Sequence, residues 1–262
     1  MDPIFKVENL TAGYQKAVIS DASFSVKEGQ ILGIIGRNGK GKTTLLRGIV
    51  GEAKRFSGKI YVNGEDITNV SVKKRASMIS VLPQKTYVPE GILVEEILEM
   101  GCYASQKFFQ RISLKDRERM KKAAKTFGIL ELLDQECSKL SAGQQQMVFM
   151  CRMFIQDTPV MLLDEPNAAL DYSNSQMLLE FLQKMVKEHH KAGILVIHNP
   201  EAALRWCDVL AIINNGKIEK KIEIEHSGKK ELEEALQILY PDIRIEKNPF
   251  CEGYICYLKK DK

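Results

Sequence analysis

Apolar positions along the N-terminal part of the chain fall at strand spacing. Residues 4–10 and 17–26 read as two strands separated by the turn signal Ala12-Gly13 and the aromatic Tyr14, which predicts an opening antiparallel hairpin. After the turn at Glu28-Gly29, residues 31–35 are apolar but for one glycine, the pattern of a short buried strand, and residues 42–50 continue as a helix. A second hairpin is expected over 59–68, because Asn63-Gly64 tolerates the positive φ of a tight two-residue turn. Residues 78–82 predict another buried strand, ending at Pro83-Gln84.

Beyond Gln84 the period changes. Segments near 92–101, 115–127 and 141–156 have helical spacing with no convincing strand between them, so 84–156 reads as a helical lobe inserted in an α/β core. The core resumes with a strand over 159–163, a long helix over 171–189, a strand over 194–197 and a helix opened by Pro200. A hairpin over 209–224 turns at Asn215-Gly216. The division expected is a main domain over 1–224 and a small appendage over 225–262, with a helix near 230–239 and strands near 243–246 and 253–258.

Composition narrows the class. The 262 residues, 44% of them hydrophobic, suffice for one large domain with a substantial core. A net charge of +4, with Lys and Arg scattered among nearly as many acids, gives no nucleic-acid footprint. No apolar run approaches the roughly 18 residues that span a bilayer, and Met1-Asp2-Pro3-Ile4 does not open a signal peptide. A cytoplasmic chain is expected. Its cysteines at 102, 137, 151, 207, 251 and 256 form no C-x-x-C pair and read as reduced thiols packed as small hydrophobes; a Cys251–Cys256 pairing does not suit that compartment.

The candidate chemistry centres on Gly36-Arg37-Asn38-Gly39-Lys40-Gly41-Lys42-Thr43, which fits the P-loop pattern G-x-x-x-x-G-K-[ST] between a buried strand and a helix start. Such a turn points backbone N–H groups into one concavity that can surround phosphate oxygens. Lys42 adds a point charge for the β- and γ-phosphates, and the Thr43 hydroxyl is placed to ligate Mg²⁺. The guanine-specific N-K-x-D and D-x-x-G motifs are absent. Val160-Met161-Leu162-Leu163-Asp164-Glu165 has the form of a Walker B strand, with Asp164 for the Mg²⁺ shell. Glu165 beside it can orient or deprotonate a water for attack on the γ-phosphate.

Between these elements stands Leu140-Ser141-Ala142-Gly143-Gln144-Gln145-Gln146. Ser141 can cap the following helix, whose N-terminus offers a hydroxyl, N–H groups and a positive dipole end to an anion. Here the sequence closely resembles the ATP-binding-cassette ATPases, whose signature reads LSGGQ, and the resemblance extends over about residues 4–224. It implies an α/β fold of the P-loop NTPase (RecA-like) type, with an N-terminal antiparallel β-subdomain and an inserted α-helical one. It further implies ATP and Mg²⁺ as ligands, with Thr44 joining the P-loop residues around the nucleotide. Tyr14 falls where the family stacks an aromatic on adenine, although a hairpin tyrosine packed on the core is a competing reading. Gln84 matches the glutamine that contacts Mg²⁺ or water and senses the membrane partner, Asn167-Ala168-Ala169-Leu170-Asp171 the loop that communicates across the dimer, and His198 the switch histidine.

Several positions depart from the usual pattern. Asn199 stands where an aspartate commonly follows the histidine, Asn167-Ala168 replaces Thr-Ser, and Lys40 occupies a position often filled by a small residue and is expected to face solvent. Ala142 replaces the signature's first glycine, and its methyl group, though small, is expected to weaken slightly a contact made where the backbone approaches phosphate. In the family the signature completes the ATP site of a second subunit, so a dimer enclosing two nucleotides is implied. Separate membrane permeases, docked through residues 84–101, and indirectly a substrate-binding protein would be the other partners, with the chain peripheral on the inner face of the membrane. Residues 91–103 and the tail are similar to the iron-siderophore, haem and cobalamin uptake group. The alternative is a soluble cassette ATPase outside transport, such as one for Fe–S assembly.

Overall fold

The computed structural model describes residues 2–84, 88–103, 112–168, 170–249 and 253–259. The chain begins with β1 (Phe5–Gly13), β2 (Ala17–Val26), β3 (Ile31–Ile35), α1 (Lys42–Val50), β4 (Lys54–Val62) and β5 (Glu65–Asp66). It continues through α2 (Val72–Ala76), β6 (Ile79–Leu82), α3 (Val94–Tyr103), α4 (Leu114–Thr126), α5 (Ala142–Gln156), β7 (Val160–Asp164) and α6 (Tyr172–Glu188). The last elements are β8 (Ala192–Val196), α7 (Pro200–Trp206), β9 (Val209–Asn214), β10 (Lys217–Glu223), α8 (Lys229–Gln237), β11 (Ile243–Lys247) and β12 (Tyr254–Leu258). Two compact units divide the chain, one of Met1–Asn69 with Glu180–Lys262, the other of Val70–Leu179.

In the first unit β1 pairs antiparallel with β2 and β4. The strand runs to Gly13, past the turn expected at Ala12-Gly13, because Gly13 still pairs with Ala17 and Lys54. A Cβ there would fall 2.0 Å from the Lys16 carbonyl, so the chain reverses only if this residue is glycine. All five residues of β3 are buried, as a strand covered on both faces requires, and β3 lies parallel to both β8 and β9. Both Asn-Gly turns take positive φ at their two central residues, 51° and 77° at Asn63-Gly64 and 47° and 73° at Asn215-Gly216. Leu232, Leu236, Ile243 and Ile245 of the C-terminal elements are buried. The Cys256 N–H of β12 donates to Glu201 Oε2 on α7 at 3.3 Å.

In the second unit β6 and β7 form a parallel pair, with Ile79 opposite Val160 and Leu82 opposite Leu163. Around them are helices, as the change of period after Gln84 implies. α3 and α5 pack closely: a Cβ at Gly101 would lie 2.7 Å from the Arg152 carbonyl. α4 opens on a capping box between Ser113 and Asp116. Helix α2, capped by Ser71, was not legible in its five residues.

Cys102, Cys137, Cys151 and Cys207 are free and buried, and Cys256 is free and half-buried. Burial pushes the thiols up, to about 12 at Cys151 and at Cys256, where Glu201 adds to the effect. These cysteines pack as small hydrophobes, as expected; Cys251 lies outside the described residues.

Candidate functional site

The phosphate loop leaves the C-terminal end of β3 and enters α1. Gly36 is required by close approach, since a Cβ there would fall 2.5 Å from the Ile213 carbonyl. Gly39 and Gly41 are required by conformation, at φ 73° and 103°. Gly41 also occupies the cap position of α1 and has no side chain to bond the first-turn N–H groups, which suits an anion at that helix end. Lys42 is buried, and its Nζ donates to the Gly36 carbonyl at 2.7 Å and to that of Arg37 at 3.2 Å. Thr43 is half-buried and Thr44 buried, while Arg37 and Asn38 are exposed.

Lys40 does not simply face solvent. Its Nζ donates to Asn215 Oδ1 at 3.1 Å, because the β9–β10 turn reaches the phosphate loop. Tyr14 is 50% exposed, and its hydroxyl accepts a hydrogen bond from Arg47 Nη1 at 3.0 Å. His198 is half-buried just beyond β8. In the β3–β8 register Ile34 lies opposite Val196, and the Ile197 N–H continues the ladder to the Ile34 carbonyl, so His198 follows the same strand ends as Gly36. Crevices at the carboxyl ends of parallel strands are where α/β sheets bind ligands. Asn199 accepts from the Ala202 N–H at 3.1 Å and caps α7, a task asparagine performs as well as aspartate.

The second unit holds the carboxylates. Asp164 ends β7 and is 4% exposed. Glu165 follows at φ 52°, the left-handed region, which costs a non-glycine residue on the order of 1–2 kcal/mol. Since Leu82 and Leu163 are opposite, two residues on each strand bring Gln84 beside Glu165, and Gln84 Nε2 donates to Glu165 Oε2 at 2.7 Å. Sequence marks both residues without indicating that they bond.

Ser141 caps α5 as expected. Its hydroxyl accepts from the Gln144 N–H at 3.3 Å, and Gln144 Oε1 accepts from the Ser141 N–H at 3.0 Å. Leu140 is buried; Ser141, Ala142 and Gln144 are exposed, and Gly143 is half-buried. A Cβ at Gly143 would lie 3.4 Å from Leu170 Cδ2. Gln145 and Gln146, to which sequence gave no role, fix this helix end. Gln145 Nε2 donates to the Cys137 and Leu140 carbonyls at 3.0 and 3.2 Å, and Gln146 Nε2 to the Pro166 carbonyl at 2.6 Å. In the loop that follows, Asn167 Nδ2 donates to Ser175 Oγ at 3.0 Å, and Asp171 accepts from the Asn174 N–H at 2.8 Å to cap α6. Ala169 of this loop lies outside the described residues.

Each unit carries an oxygen of the kind magnesium takes, a buried carboxylate on Asp164 in one and the hydroxyl of the half-buried Thr43 in the other. This ion is ordinarily held by one or two carboxylates with substrate phosphates and water rather than by a protein cage.

Residues 19–168 match the family described as ABC transporter. The achromobactin transport ATP-binding protein of Dickeya dadantii is 32% identical over 250 residues, which are 94% of this chain and 91% of the relative. The ferric enterobactin transport ATP-binding protein of Escherichia coli is 35% identical over 212 residues, 80% of this chain and 78% of the relative. Among solved structures, one described as an inward-facing metal-chelate type ABC transporter has a TM-score of 0.81 at 24% identity, covering 99% of this chain and 97% of that one, a likeness of fold.

Proposed function

The chain belongs to the ABC transporter family, whose ATP-binding subunits hydrolyse ATP, and from that premise we propose that it powers import of an iron-siderophore or related chelate through separate permease subunits. The observation that carries the coupling is the 2.7 Å hydrogen bond from Gln84 to Glu165. It ties the start of the stretch expected to meet a permease directly to the carboxylate expected to act on water. Lys85, Thr86 and Tyr87 of that stretch lie outside the described residues. Among the described residues no helix is long and apolar enough to cross a membrane. In the importer reading the chain sits peripherally on the inner membrane face, against the permease.

In this reading Tyr14 stacks on the base, and the loop of Gly36 to Thr43, with Thr44, surrounds the phosphates. Glu165 accepts a proton from, or orients, the attacking water, and Lys42 and His198 stabilise charge on the transferring phosphoryl group. Thr43, Asp164 and Gln84 would hold Mg²⁺, which supplies charge neutralisation at the phosphates. Leu140, Ser141, Ala142, Gly143 and Gln144 serve the nucleotide of a second copy of the chain, and Asp171 lies in the loop that communicates between copies. The names of the siderophore-transport relatives support the substrate class.

Glu165→Gln keeps the side chain's shape and removes its charge. ATP binding should persist, phosphate release should stop, and an ATP-dependent dimer should accumulate in size-exclusion chromatography. Near-normal phosphate release refutes the role of Glu165. Affinity purification of the tagged chain from a membrane extract should recover a polytopic permease; recovery of a wholly soluble complex, as in Fe–S assembly, refutes the importer.

A further inference from the structure

Tyr14 is held in an unusual way for an exposed aromatic. It begins the turn between β1 and β2, where its N–H donates to the Lys16 carbonyl at 3.2 Å. Gly13 before it cannot be replaced without a clash at that same carbonyl. The backbone under the ring is therefore fixed, while the ring itself is half exposed. What holds the tip is the 3.0 Å hydrogen bond from Arg47. Arg47 is not a random surface cation. It stands four residues after Thr43 on α1, and i, i+4 residues share one face of a helix, so the guanidinium projects from the edge that begins at the phosphate loop.

We propose that Arg47 is a positioning residue for nucleotide binding: by donating to the Tyr14 hydroxyl it fixes the base-stacking ring at a set distance from the phosphate loop. Four residues of helix rise about 6 Å, so α1 acts as a spacer between the site of the phosphates and the site of the base. A guanidinium suits the task because its planar fork loses less rotational freedom per hydrogen bond than a lysine ammonium. The proposal rests on the reading that Tyr14 stacks on the base.

The test is a double-substitution cycle on the full chain, with ATP affinity measured by calorimetry and ATPase kinetics alongside. Arg47→Met and Tyr14→Phe each remove the hydrogen bond, and Tyr14→Phe keeps the ring. Each should weaken ATP binding about threefold to tenfold, the scale of one ordinary net hydrogen bond. The double variant should be no worse than either single one, and Arg47→Lys should recover part of the loss. The defect should appear as a raised KM rather than a lowered kcat. Additive losses in the double variant, or unchanged affinity in both single variants, overturn the proposal. Tyr14→Ala separates the two levels: if it binds ATP normally, the stacking reading itself fails, whereas a loss with Tyr14→Ala but none with Tyr14→Phe or Arg47→Met refutes only the role of Arg47.

Discussion

Gln146→Met tests how the start of α5 is tied to the loop after β7. The substitution keeps an unbranched side chain of similar length and deletes the 2.6 Å hydrogen bond to the Pro166 carbonyl. Pro166 is buried, so its carbonyl loses a partner that water cannot readily replace. An orphaned buried acceptor costs about 1–3 kcal/mol. For a chain of this size each kcal/mol lowers the melting temperature by about 2–4 °C, so a fall of roughly 2–12 °C is expected in differential scanning calorimetry. ATP affinity should be retained, because Lys42 and the phosphate loop are untouched, while turnover falls with the displaced loop. Gln144→Met provides the contrast. Its side chain serves the exposed Ser141 N–H, which water can take over, and the loss should stay within about 0.5 kcal/mol. Equal melting temperatures for the two variants would refute the reasoning, since they would make burial of the acceptor irrelevant.

Two further outcomes follow from close approach and from burial. Gly36→Ala places a methyl group 2.5 Å from the Ile213 carbonyl, so the loop must shift; a destabilisation of about 1–3 kcal/mol in urea unfolding and loss of ATP binding are expected, and unchanged affinity would contradict a loop held by that contact. Cys151 and Cys256, pushed up to about 12, should resist iodoacetamide in the folded chain at pH 8. Because the folded chain retains these protons better than the unfolded one, their contribution is intact below the ordinary thiol range of about 8.5 and erodes as pH rises from there towards 12, which denaturant titrations at pH 8 and 10 would read as lower stability at the higher pH.

Features encoded within a few neighbouring residues were legible in the sequence. The apolar run of β3, the two Asn-Gly turns and the Ser141 cap each carry their own cause, in burial, in tolerance of positive φ and in a hydroxyl one residue before a helix. Gly13 was recognised as part of a turn but placed one step early, since its role is to let the Lys16 carbonyl approach and not to occupy the bend. Contacts between residues far apart in the chain were not legible. Lys40 finds Asn215, Arg47 finds Tyr14 and Gln146 finds Pro166 only once strand register and helix rotation are set, and no local pattern announces an acceptor 175, 33 or 20 positions away. Gln84 and Glu165 are intermediate: each is marked by its motif, and the β6–β7 register alone determines that they touch.

The hydrogen bond from β12 to Glu201 has a bearing on how such a chain can diverge. Glu201 lies in the first turn of α7, three residues after His198, so the terminal hairpin helps to seat the helix that follows the switch histidine. Because the donor is a main-chain N–H, any residue but proline at position 256 keeps this bond, whereas position 201 must keep an acceptor of the same reach; a recombinant between related cassettes would preserve the seat of α7 if it retained that acceptor and the register of the hairpin.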